Sequence, residues 1–399
     1  MKYAELNITF EDQDNWQYTE QSKQPMKFDE LWYERENFYA EREKLKENLK
    51  TNILDRLDLA EYDTDVGRIL DPPFEQYSKA FFMADHVDKD LLLKKANRNT
   101  LQKKLQEWCR QCVSNVEAVR NAPGASIFYN QLKNVPCVVV TAGPSLANNI
   151  ELLKEVYGKC IIMSVDTSFR SLVKRGYTPT FVNTHDANAN GAKFFDGIDA
   201  KDTVGLFVNY VHPSIVEKYQ GPVCFYYVQD DNLPVYKLMA LSCDKEGRKD
   251  GGFLKSMVMG GSSVAHTAYY LAILMGCNPI TFIGLDLSYP DFERSHFETD
   301  NPKDVRSKRL INVEDIQGRM IKTDHSFYSY KSVFENIAPT ISLIYQVKLF
   351  NSTESADGKP AGIVYQGLRP LRFRNFIDQF CTKERPEINR IKELYNSNK

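Results

Sequence analysis

Gly143-Pro144-Ser145, inside NVPCVVVTAGPSLANNIELLKE (residues 134–155), follows the apolar run Val138-Val139-Val140. A glycine and a small hydroxyl between a strand and a helix are residue types that can hold a phosphate. Amides without intrahelical partners face the anion, and the helix dipole favours its charge. Gly-Pro turns also join strands to helices that bind nothing, and this one has neither the G-x-G-x-x-G spacing of a dinucleotide fold nor the G-K-[ST] ending of a P-loop. A second turn, Met259-Gly260-Gly261-Ser262-Ser263, precedes an apolar run from Val264 to Met275. Two such turns on one sheet edge would suit a nucleotide, one at the phosphate and the other at base or ribose. For the second turn the alternative is close glycine packing against a neighbouring element.

Both turns need a frame. The valine run reads as a strand covered on both faces. Ile150, Leu153 and Val156 recur at helical spacing after it, and Ser145, Asn148 and Asn149 are residue types that cap helix starts. From Asn134 onward strand and helix patterns alternate, which predicts an α/β fold: a Rossmann-like, mostly parallel sheet with helices on both faces. Strands are expected at Cys137–Thr141, Cys160–Val165, Thr180–Thr184, Val204–Asn209, Val223–Val228, Ile280–Ile283 and Val347–Phe350. Ligands of such sheets bind beyond the carboxyl ends of the strands. The polar residues there are Gly143 and Ser145, Asp166 and Ser168, His185, Asp186 and Asn188, Asn209 and His212, then Asp286 and Tyr289. Each alone can be a helix cap; together they are expected on one rim.

Residues 1–130 differ in texture. Charged helical patterns run from Asp29 to about Leu57 and from Asp88 to about Val119, so a helical N-terminal region is expected before a Rossmann-like domain over 131–370 and a helical tail over 371–399. Asp63-Thr64-Asp65 has the form of a sugar-nucleotide metal motif but sits among polar residues, as a solvated turn does. With 51 basic and 53 acidic residues the net charge is -2, which argues against nucleic acid as a partner. The spacing Cys109-x-x-Cys112 has no second pair to complete a zinc site. The apolar stretch Ala268–Ile283 is broken by Gly276, Asn278 and Pro279, so it reads as helix then strand and not as a membrane span. The start of the chain shows no apolar signal region, and a cytoplasmic protein is expected.

Several motifs in fixed order resemble the motility-associated factor (Maf) glycosyltransferases. They are GPSL with its helix, SVDTSFRSLVKRGYTPTFVNTHD, GGSSVAHTAYYLAILMGCNPITFIGLDLSY, GRMIKTDHSFYSY and LFNSTESADGKPAGIVYQG, spanning roughly residues 134–367. Shorter relatives include archaeal 6-hydroxymethyl-7,8-dihydropterin pyrophosphokinases of the MptE-like kind, and the core is similar to that of bacterial sialyltransferases. The resemblance implies transfer of a sialic-acid-like nonulosonic sugar from a CMP-sugar donor to a flagellin-type Ser/Thr or a glycan hydroxyl. It implies that Gly143, Pro144, Ser145, Asp166, Asp186, Gly261, Ser262, Ser263 and Asp286 bind the donor, with Tyr289 and either His325 or His296 catalytic. A histidine of near-neutral pKa can take the acceptor proton, and a tyrosine hydroxyl can bond the departing phosphate. The chain has Thr141 where the family often has glycine, and Leu285-Asp286-Leu287 where it commonly has Gln-Asp-Leu. Residues 1–130 show no match to it, which leaves the acceptor open.

No cofactor is required by this reading. Pyrophosphoryl transfer from ATP to a pterin is the alternative, and it would need Mg²⁺ on carboxylates such as Asp186 and Asp286, with Lys255, Arg294 or Lys322 swinging in. A non-catalytic interaction protein that keeps the nucleotide fold is a third reading. It expects His296 and His325 far from the rim, whereas glycosyl transfer requires one of them near Tyr289 and Ser145. The sequence leaves the oligomeric state open.

Overall fold

The computed structural model describes residues 7–11, 15–19, 25–26, 104, 107–229, 256–259, 263–289, 297, 310–364 and 366–398. Within the N-terminal region expected to be helical, β1 (Asn7–Glu11), β2 (Asn15–Thr19) and β3 (Pro25–Met26) form a small antiparallel sheet. NITFE and NWQYT alternate polar and apolar residues with the period of two that suits a strand. The expected helix Asp29–Leu57 and the Asp63-Thr64-Asp65 triplet lie outside the described residues. The second helical pattern ends as helical residues 107–114 and α1 (Val116–Asn121).

The main sheet is built from β4 (Cys137–Val140), β5 (Ile161–Val165), β6 (Phe181–Thr184), β7 (Val204–Val208), β8 (Val223–Gln229), β9 (Ser256–Met259), β10 (Ile280–Ile283), β13 (Leu349–Asn351) and β14 (Arg369–Pro370). Their spatial order is β14-β13-β10-β4-β5-β6-β7-β8-β9, and every adjacent pair is parallel. The chain therefore steps outward from β4 to β9, then returns to the far side of β4. β10 pairs there in the register Ile280↔Cys137 to Ile283↔Val140. This reversal is the topological switch point at which open α/β sheets bind ligands.

β4, β5, β6, β7 and β10 are buried at every residue, as a sheet covered on both faces must be. Successive β4 residues serve opposite faces: Val139 joins one apolar cluster, Val138 and Val140 the other. On the Val138 face lie α2 (Leu146–Asn149), the 3₁₀ stretch Ile150–Val156 and a C-terminal helix, Phe373–Phe380. On the Val139 face lies α5 (Val264–Leu274), where ten of the eleven residues are buried. Between them in sequence, α3 (Asp166–Lys174) follows β5 and α4 (Pro213–Lys218) follows β7. The helix expected after the Gly-Pro-Ser turn is only one α turn before it tightens to 3₁₀. Asn148 and Asn149 do not cap it; they donate instead to the carbonyls of Glu354 and Ser352, both at 2.8 Å. Between β10 and β13, the hairpin β11 (Leu310–Glu314) and β12 (Met320–Asp324) leads directly into the 21-residue helix α6 (His325–Tyr345).

Candidate functional site

Because all nine strands run the same way, Gly143, Asp166, Asp186, Asn209 and Asp286 all follow carboxyl ends on one edge. The Gly143-Pro144-Ser145 turn sits at the switch point, and its donors are engaged by the protein. The Ser145 hydroxyl donates to Asp286 Oδ2 at 2.6 Å and its amide reaches the same oxygen at 3.3 Å. Gly143 N donates to Gly284 O at 2.8 Å, while Leu146 N and Ala147 N fold back onto Gly143 O and Pro144 O. A carboxylate of the chain thus lies where a ligand anion was expected. Gly143 is required there, since a Cβ would stand 2.0 Å from Asp286 Oδ2 and 2.4 Å from Gly284 O. Across the turn, Phe297 N donates to Ala142 O at 2.7 Å.

From Asp286 the chain runs to the hairpin. Leu287 takes a left-handed conformation at φ 48, and its carbonyl accepts from Thr323 Oγ1 at 2.7 Å. Tyr289 N donates to Lys322 O at 2.8 Å, and the buried Tyr289 hydroxyl donates to Asp324 Oδ2 at 2.6 Å. Burial and the adjoining Asp324 carboxylate push the Tyr289 pKa well up. A tyrosine that gives its proton to a carboxylate does not offer that proton to a phosphate, which alters the part expected of Tyr289. Asp324 also caps α6, accepting from Phe327 N through Oδ1 at 2.9 Å. His325, the next residue, is exposed at the first position of that helix.

On the other wing, Asp166 is buried at the start of α3. Its Oδ1 accepts from Thr167 N and Oγ1 at 2.6 and 2.9 Å, and its Oδ2 from Thr184 Oγ1 at 2.7 Å. Burial, with the Asp186 charge adding to it, lifts its pKa to about 6. Asp186 accepts from Asn188 N at 2.8 Å. Below this edge Asn183 donates to Thr267 Oγ1 at 2.7 Å and Val264 O at 3.1 Å, and accepts from Tyr226 OH at 3.0 Å, so the start of α5 is fixed to β6. Ser263, before α5, lies 2.7 Å from Nδ1 of the fully buried His266, which stacks on Phe334 with centroids 3.8 Å apart. Burial drives the His266 pKa down to about 3 and that of His185 down to about 4.

Several rim candidates serve the fold. Asn209 is fully buried and donates to Cys112 Sγ at 3.4 Å, and its carbonyl accepts from Asn115 Nδ2 at 3.0 Å. His212 caps α4 through Nδ1, and Ser168 ties α3 to the end of β4 by donating to Val140 O at 2.7 Å. Lys322 hydrogen-bonds Asn312 Oδ1. His296, Gly261, Ser262, Lys255 and Arg294 lie outside the described residues. Asp186 and Asp286 follow strands three ladder steps apart, roughly 14 Å at the usual strand spacing. Sequence reasoning missed Asp324 and Thr323; the signal was the N-cap aspartate three residues before Phe327.

Residues 110–292 match the family model described as MptE-like, 6-hydroxymethylpterin diphosphokinase MptE-like. This agrees with the motif resemblance, which counts MptE-like proteins among its relatives, and the matched segment runs from the helical residues before α1 past β10 to include Gly143, Ser145, Asp286 and Tyr289. The hairpin and α6 lie beyond the matched segment. No curated protein matches the chain. Among solved structures it is similar to that of a Maf glycosyltransferase from Magnetospirillum magneticum AMB-1, at 17% identity and a TM-score of 0.49. That alignment covers 76% of this chain and 47% of the other, so the chain spans about half of that protein's length. Among the described residues no helix is long and apolar enough to cross a membrane.

Proposed function

We propose that the chain is a glycosyltransferase that moves a sialic-acid-like nonulosonic sugar from a CMP-sugar donor to a protein or glycan hydroxyl. The observation that supports this most is a continuous set of contacts at the switch point. Ser145 holds Asp286, the segment after it carries Tyr289, and Tyr289 is bonded to the residue directly before His325. His325 thus follows directly on the partner of Tyr289, which supports its reading as the base for a hydroxyl acceptor. In the reaction the acceptor oxygen bonds the anomeric carbon, the bond from that carbon to the phosphate oxygen breaks, CMP leaves, and the acceptor proton passes to His325. The start of α5 offers the departing phosphate a helix N-terminus on the same edge.

The similarity to the 6-hydroxymethylpterin diphosphokinase MptE-like family favours a second reading, ATP-dependent pyrophosphoryl transfer to a pterin. Mg²⁺ fits the carboxylates poorly. Asp186 and Asp286 are too far apart on the sheet edge to share one ion, and Asp166 already accepts from Thr167 and Thr184. Calorimetric titration with CMP, a CMP-linked nonulosonic acid and ATP, with and without Mg²⁺, separates the readings. CMP binding without metal, together with a loss of transfer of roughly 10²-fold or more in His325→Ala at unchanged CMP affinity, is the expected result. Binding of Mg-ATP alone would move the assignment to pyrophosphoryl transfer.

A further inference from the structure

We infer that Asp324 is the positioning residue of this site, fixing Tyr289 and the His325-bearing end of α6 with the two oxygens of one carboxylate. The geometry is divided cleanly between those oxygens: Oδ2 accepts from the Tyr289 hydroxyl at 2.6 Å and Oδ1 from Phe327 N at 2.9 Å. Two independent ties keep the same elements together. Thr323 Oγ1 donates to Leu287 O at 2.7 Å, and Tyr289 N donates to Lys322 O at 2.8 Å. The Tyr289 ring stacks on Phe327 with centroids 5.3 Å apart, so the two residues that donate to Asp324 also pack on each other. Asp324 is buried, whereas His325 after it is exposed. One residue is therefore locked by its neighbours and the next is presented to solvent. A carboxylate accepting from a phenol is a charge-assisted bond and holds orientation better than a neutral one. Besides Tyr289 and the adjacent His325, Tyr330 on α6 feels this carboxylate: burial first, and then the Asp324 charge, raise its pKa.

The role of His325 in this inference rests on the glycosyltransferase reading, but the Asp324–Tyr289 coupling does not. Two measurements keep them apart. The first is ¹³C-tyrosine NMR titration of the intact chain, with Tyr289→Phe assigning one resonance and Tyr330→Phe the other. Asp324→Asn, which retains a good N-cap type, is expected to let Tyr289 ionise at lower pH than in the wild type; an unchanged Tyr289 titration overturns the inference. The second is kinetic. Asp324→Asn and Tyr289→Phe are each expected to lower kcat at least tenfold with little change in donor KM and in Tm, and the double variant is expected to be no worse than either single one. Additive losses, or a loss that follows Tm and is absent in Asp324→Asn, would make Asp324 a helix cap and nothing more. If the wild type transfers no sugar while the titration shifts as expected, the functional reading fails and the coupling stands.

Discussion

The hydroxyl of Ser145 donates to Oδ2 of Asp286 at 2.6 Å across the switch point of the sheet, joining the turn after β4 to the segment after β10. Both residues are buried. The contact converts what reads in the sequence as an open anion cradle into a closed joint. Removing the hydroxyl leaves a buried carboxylate short of a donor, which costs about 1–3 kcal/mol. Ser145→Ala should therefore lower stability by that amount in urea unfolding, and Asp286→Asn, whose amide oxygen still accepts from Ser145, should lose less. Equal losses would show that the charge, and not the hydrogen bond, holds the joint.

Gly143 is the narrower constraint. A methyl there would meet Gly284 O at 2.4 Å as well as Asp286 Oδ2 at 2.0 Å, and a backbone carbonyl cannot swing aside as a side chain can. Gly143→Ala should destabilise more than Ser145→Ala and should separate β4 from β10, seen as faster amide exchange at Thr141 and Gly143, which donate to Ile283 O and Gly284 O. Wild-type exchange in that variant would mean that the turn has more room than its contacts indicate.

The sheet was legible because strands buried on both faces have little choice but continuous apolar runs. CVVV and IIMSV announce themselves, and each expected strand core lies within a residue or two of its place. β9 and β14 were not legible, at four and two residues, because pairing with a neighbour defines them and no periodicity can. The rim was legible from topology alone. What the individual polar groups do there was not. Ser145, Asn148 and Asn149 are capping types by local chemistry, but each side chain is drawn to a partner more than 140 positions away in sequence. Asp324 was missed in part because only its cap on Phe327 N has a local signal; its bond to Tyr289, 35 positions away, has none.

Asn183 ties three elements at once, through Tyr226 OH, Thr267 Oγ1 and Val264 O. Replacing it by leucine strands buried polar groups on β8 and α5, at about 1–3 kcal/mol for each group left without a partner. Asn183→Leu should unfold at clearly lower urea, and in the functional reading it should weaken donor binding because it frees the start of α5. Asn183→Asp, which keeps the acceptor for Tyr226, should lie between.

His266 and Asp166 make opposite contributions to stability as pH changes. Burial lowers the folded pKa of His266 to about 3, so the unfolded chain takes up its proton first. Its contribution is complete above the ordinary histidine pKa of about 6.5 and falls by about 1.4 kcal/mol per pH unit as acid is added below that. His266→Phe, which keeps a ring against Phe334, should flatten the fall in stability between pH 6.5 and 4.5; an unflattened profile would place the acid-sensitive group elsewhere.

Asp166 runs the other way. Burial, followed by the charge of Asp186, raises its folded pKa to about 6, whereas an unfolded aspartate titrates near 3.9. Between about pH 4 and 6 the unfolded chain has already released the proton that the folded chain still holds. Stability from this group is thus greatest at low pH and declines through that window, by about 3 kcal/mol in total. Asp166→Asn keeps an oxygen for Thr167 and places an N–H against the Thr184 hydroxyl, so it retains the contacts without the titration. Its Tm should exceed that of the wild type at pH 7.5 and match it near pH 4, and its acid limb should be steeper because the histidine term is no longer offset. A Tm difference that is the same at both pH values would show that the Asp166 carboxyl titrates alike in the folded and unfolded chain, and burial would then not be what raises its pKa.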